Sequence, residues 1–178
     1  AYRVLEQHQL AIENYKKANL LWPTLQPRMF IYESSTDVSM ARSLLAIEHY
    51  SEAEEYYQLA LTTIATEMGV DHPLYARYQI MYAPLLLDQN RLEQAQQIIP
   101  SAYEKLKLTY GKDSKRTALA GIQYAELQFK LNKYESAKTL LVDALSILDT
   151  EELKSRNHSD IIQAQSLLNN INQIMAMK

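Results

Sequence analysis

Cysteine is absent from the 178 residues, which excludes disulfides, thiolate metal sites and cysteine nucleophiles and leaves both a reducing cytoplasm and an oxidising periplasm open. Glycine and proline are scarce, with 3 and 5 residues, too few to punctuate an all-β chain. Leu, Ala, Gln, Glu and Lys are abundant instead, and these helix formers make the class all-α. Charge of one sign is also lacking: the formal net charge is -3 with both signs interspersed, so no field gathers nucleic acid or an anionic membrane. No apolar run approaches the ~20 residues that span a bilayer. The opening Ala1-Tyr2-Arg3-Val4-Leu5-Glu6 does not pair a charged region with an apolar core. The expectation is a soluble chain without membrane insertion, cytoplasmic or periplasmic.

Constellations that carry chemistry are missing as well. His8, His49, His72 and His158 are scattered and show no paired-ligand spacing, so no metal is expected, and His72 reads as a turn residue. Three isolated glycines cannot build a phosphate-cradling loop, so no cofactor or nucleotide is expected. Glu52, Glu54 and Glu55 read as the solvated side of an amphipathic helix, with nothing to raise a carboxyl pKa for acid catalysis. The 13 Tyr lack the basic groove that a single-strand nucleic-acid platform needs. Tyr15, Tyr50, Tyr57, Tyr82, Tyr124 and Tyr134 recur at repeat positions, and packing accounts for them better. The chain is not expected to be an enzyme.

What is present is a repeat. Ala11, Ala53, Ala95 and Ala137 are spaced by 42 residues, and so are Ala18, Ala60, Ala102 and Ala144, seven residues further on and thus on the same helix face. Ala41, Ala83 and Ala125 form a third column with the same period, joined by Tyr82 with Tyr124, Gly69 with Gly111 and Asp71 with Asp113. A bulky column runs through Tyr15, Tyr57, Ile99 and Leu141. Helix axes approach to ~8–10 Å only where the crossing side chains are short, so the alanines mark crossings.

Each repeat reads as two helices. The second repeat has a first helix over about Glu33–Glu48 and a second over Ser51–Met68; the third has Leu74–Leu87 and Leu92–Tyr110; the fourth has Lys115–Leu131 and Tyr134–Leu148. Gly69 and Gly111 are expected as left-handed caps, with Pro73 preventing continuation. The first repeat keeps a whole second helix, Gln9–Trp22, and only the tail of a first. The boundaries are 1–27 for this partial repeat, 28–69, 70–111 and 112–153 for three full repeats, and 154–178 for a capping helix near Ser159–Ala176, all within one repeat domain. A start without Met, partway through a helix pair, points to a piece of a longer polypeptide.

A small residue in the first helix, two alanines in the second and Tyr50, Leu92 or Tyr134 at the start of the second resemble tetratricopeptide repeats (TPR). The 42-residue period and the turn Gly69-Val70-Asp71-His72-Pro73 resemble the kinesin light chain variety, also common in bacterial regulatory and signalling proteins. The resemblance implies an all-α fold, a right-handed α-solenoid of antiparallel helix pairs, and a larger bacterial parent. The chain departs from the family at Gln79 and Gly121, where a bulky first-helix residue is usual. It departs again at Ser39, Met81 and Gln123, where a groove Asn is often found, and at Pro84 and Pro100, which are expected to interrupt helices.

The implied function is a protein-protein interaction scaffold that holds a protein or peptide partner in a concave groove. Two alternatives carry separate weight: a regulatory ligand- or peptide-sensing domain of a larger signalling protein, and a self-association module, a homo-oligomer through open repeat edges. With each first-helix Ala facing the second helix, positions at −6, −2, +1 and +5 line the groove. These are Ser35, Ser39, Arg42 and Ala46, then Arg77, Met81, Pro84 and Asp88, then Leu119, Gln123, Glu126 and Lys130. The binding candidates among them are Ser35, Ser39, Arg42, Arg77, Met81, Asp88, Gln123, Glu126 and Lys130. Arg42, Arg77 and Lys130 would suit acidic residues of an extended peptide, and Met81 an apolar one.

Overall fold

The computed structural model describes residues 2–25, 27–148 and 158–177. Among the described residues the chain forms eight α-helices: α1 (Tyr2–Leu21), α2 (Phe30–Ala46), α3 (Tyr50–Met68), α4 (Pro73–Asp88), α5 (Leu92–Tyr110), α6 (Lys115–Lys130), α7 (Tyr134–Leu148) and α8 (His158–Ala176). A 3-10 turn, Trp22–Thr24, follows α1. The helices fall within a residue of the expected ranges in every full repeat except at α2, which begins three residues earlier and ends two residues earlier than expected. Residues 2–8 differ: no Gly or Pro lies between Tyr2 and Leu21, so these residues extend α1 rather than forming the tail of an earlier helix. Pro84 and Pro100 do not interrupt their helices either; α4 and α5 run through them. Each proline removes one helical donor, and the surrounding bonds and packing hold the helix around it. The expected boundary between 153 and 154 lies outside the described residues.

The turns that close the helix pairs share one construction. Glu48, Asn90 and Asn132, again 42 residues apart, have φ of 62°, 55° and 59°. The amides of Glu48, Asn90 and Asn132 donate to the carbonyls of Leu45, Leu87 and Phe129. Those of the next residues, His49, Arg91 and Lys133, donate to Leu44, Leu86 and Gln128 at 2.8–2.9 Å. This paired bonding is the Schellman motif, and it satisfies carbonyls that the ending helix would leave open. The carbonyls of His49, Arg91 and Lys133 then accept from Ala53, Ala95 and Ala137, starting the second helix of each pair. Gly69 and Gly111 end α3 and α5 at φ 86° with ψ of 155° and 157°, not the left-handed helical cap expected. This region of positive φ and extended ψ is open almost only to glycine.

The chain divides into two compact units, Ala1–Leu85 and Leu86–Lys178. In the first, α1 packs on α2 and α2 on α3. Its core holds Met40, Leu44, Tyr57 and Ile64, and the column alanines Ala41, Ala53, Ala60 and Ala83 are fully buried. The Tyr57 and Tyr82 rings meet at 5.3 Å between centroids, and Ser34 shares a hydrogen bond of 3.3 Å with the Tyr78 hydroxyl, so α4 is tied to both α3 and α2. At the α1–α2 junction Trp22 stacks on Tyr32, and its indole N–H donates to Thr36 Oγ1 at 3.0 Å. Arg28 bridges Glu33 and Glu67, linking the following segment to α3.

In the second unit α6 packs on α5 and α7, and α8 covers α7 and touches α6. The core combines Ala118, Ile122, Leu141 and Leu148 with Ile161, Ala164 and Ile171 of α8. Ser114 starts α6 as an N-cap, its hydroxyl accepting the Thr117 amide at 3.1 Å. The six second-helix alanines of the full repeats are all 0–2% exposed, in keeping with their reading as crossing points.

Candidate binding faces

In the first unit the candidates lie on α2 and α4. Ser35, Arg42 and Arg77 are exposed, while Ser39 and Met81 are half-buried. The Ser39 hydroxyl donates to the Ser35 carbonyl at 2.8 Å, so it is turned onto its own helix. Arg42 is electrostatically coupled to Tyr57, whose phenol is pushed well above its ordinary range by burial, with the guanidinium opposing that shift. The Tyr57 hydroxyl is buried without a hydrogen-bond partner.

In the second unit the structure brings Asp88, Glu126 and Lys130 into electrostatic contact. Burial raises the Glu126 carboxyl pKa, Lys130 opposes the shift and Asp88 adds to it. Gln123 is half-buried on the same helix, with its Oε1 buried and unpartnered. A cleft of about 720 Å³ opens between α6 and α8, lined by Glu126, Phe129 and Lys130 from one side and by Ile162, Ser166 and Leu167 from the other. Its walls are largely apolar and Ile162 is 51% exposed. This arrangement can seat an apolar side chain beside groups of both charges.

Phe129, Ile162 and Leu167 lie outside the groove positions expected from the repeat. Phe129 stands four residues after Ala125, between the +1 and +5 positions expected to line the groove, and α8 is expected only to cover the fourth repeat. The amphipathic spacing of Ile161, Ile162, Leu167 and Leu168 was the available signal that α8 carries a second apolar edge. The His72 ring nitrogen Nδ1 accepts the Leu74 amide at 3.2 Å, a local turn contact. Among the described residues no three His, Asp, Glu or Cys side chains come together as a metal site, and no helix is long and apolar enough to cross a membrane.

No protein-family model matches the chain, and no curated protein matches it. Among solved structures, BtubC (BKLC) from P. vanneervenii, a kinesin-light-chain-like TPR protein, superposes with a TM-score of 0.71. The match covers 96% of this chain and 74% of that one at 18% sequence identity. At that identity the likeness is one of fold, and with the helix pairing described above it establishes an all-α, TPR-like α-solenoid.

Proposed function

We propose that this chain is a non-catalytic interaction module that holds a protein or peptide partner against the faces formed by the first helices of its pairs. The observation carrying this reading is the α6–α8 cleft, where exposed Ile162 and half-buried Phe129 and Leu167 sit beside Glu126 and Lys130. Apolar anchors flanked by charges are what peptide grooves use for affinity and register. In the first unit, Arg42 and Arg77 offer forked donors for carboxylates on the corresponding face.

The test is a selection of displayed random peptides on the immobilised chain, followed by affinity measurement with Ile162→Asp and with Arg42→Glu/Arg77→Glu. Peptides sharing an apolar anchor, and weakened about tenfold or more by one of these changes with the fold intact, support the reading. Selected peptides that bind every variant equally move recognition off these faces and overturn it.

A further inference from the structure

A second cleft, of about 320 Å³, opens over α6 between α5 and α7, entirely within the second unit. Its floor includes Gly121, five residues before Glu126 and so about 140° around the helix from the α6–α8 groove. Gly121 is buried mid-helix, and neither its backbone nor its surroundings call for glycine. A Cβ there would meet Tyr103 Cε2 at 3.6 Å and Ala144 Cβ at 3.8 Å, ordinary packing distances. An interior glycine weakens a helix relative to alanine, so a local reason for it is wanted.

The repeat supplies that reason. The column of Gly121 holds Asp37 and Gln79 in the two preceding repeats, and the column of Tyr103 holds Asn19 and Leu61. Asn19 donates to Asp37 at 2.8 Å, so the two columns face one another between a second helix and the next first helix. In the fourth repeat the side chain of the first column is missing, and the space it would occupy is the cleft.

The lining is amphipathic. Gly121, Ala118, Ala144, Leu140 and Ile147 give an apolar floor, Thr117 and Ser146 add hydroxyls to the lining, and Tyr103 forms one wall. The charged rim carries Lys107 and Lys112 with Asp113 and Asp143, two cations and two anions. Lys107 Nζ lies 5.5 Å over the Tyr103 ring and 3.4 Å from Glu104. The Tyr103 phenol is pushed above its ordinary value by burial first, with Lys107 opposing and Glu104 and Asp143 adding, so charges from both α5 and α7 reach the aromatic wall. A rim of balanced, separated charge around a mixed polar and apolar pocket favours a net-neutral ligand that carries both charges itself over a simple anion or cation.

We infer that the Gly121 cleft is a binding site for a small zwitterion with an apolar side chain, a free α-amino acid, with its side chain over Gly121, its ammonium toward Asp143 and its carboxylate toward Lys107 and Lys112. The site is separate from the peptide-binding faces and does not depend on them.

The experiment measures thermal shift and calorimetric binding with L-leucine and L-phenylalanine, alongside N-acetyl-L-leucine, which lacks the ammonium, and L-leucinamide, which lacks the carboxylate. The expected result is a raised melting temperature with a free amino acid at about 10 mM and little or none with either blocked form. Asp143→Asn, at an exposed position, is expected to weaken binding about tenfold. Gly121→Met fills the cleft and is expected to abolish it, whereas Ile162→Asp leaves it unchanged. No response to either amino acid overturns the inference, as does binding that is indifferent to Asp143→Asn. If Gly121→Met fails to fold, the Asp143 variant and the blocked ligands decide the matter.

Discussion

Asp37 sits 1% exposed on α2, with Oδ1 accepting the Asn19 amide at 2.8 Å. Its Oδ2 and the Asn19 Oδ1 are both buried without partners, two acceptors in one polar pair. An ionised carboxylate has no proton to share, while a protonated one supplies the missing donor. Burial, offset by the Asn19 bond and reinforced by Glu33, raises the Asp37 pKa from 3.8 to about 6. The folded value lies above the unfolded one, so this group's contribution to stability is complete below pH 3.8 and is lost as pH rises through about 6. Chemical denaturation is therefore expected to show a more stable chain at about pH 5 than at pH 7, by an amount on the order of 1 kcal/mol once solvent screening is allowed for. Asp37→Asn carries a donor without a charge, so it is expected to remove this difference and to match or exceed the natural chain at pH 7. A pH dependence equal in both proteins assigns the effect elsewhere.

The turns between paired helices show how an element can keep its geometry while its sequence signal fades. Asn90 and Asn132 occupy positive φ, which their side chains tolerate, whereas Glu48 holds the same conformation without that advantage. The register that links the alanine columns also links 48, 90 and 132, but a glutamate carries no turn signature and the first of these turns could not be read from it alone. Gly69 and Gly111 were legible as helix ends; their extended ψ was not, because glycine permits both conformations. Relief of the strain at Glu48 is a direct check: Glu48→Asn is expected to stabilise the chain by about 0.5–1 kcal/mol, and Asn90→Glu to destabilise it by a similar amount in denaturant titrations.

Across the whole chain the fold was legible because one period repeats in several columns, each fixing the same helix pair. The binding faces were less so. Repeat logic identifies residues that must stay the same, while recognition uses those left free to vary, and in α8 the first-helix column of Ala41, Ala83 and Ala125 is broken by Leu167, so no column alanine marks its rotation. If the period governs the fold, deletion of residues 70–111 leaves the columns in register and is expected to give a shorter chain with native helicity and a cooperative thermal transition by circular dichroism. A deletion of residues 56–95, two residues shorter and joined inside the second helix, turns the rest of that helix by about 200° and is expected to abolish that transition. Trp22, the one tryptophan in the sequence, is stacked on Tyr32 and hydrogen-bonded to Thr36 inside the first unit. Selective excitation of this indole makes its emission a native optical probe of the first unit, against which the ellipticity of all the helices can be timed without attaching a dye.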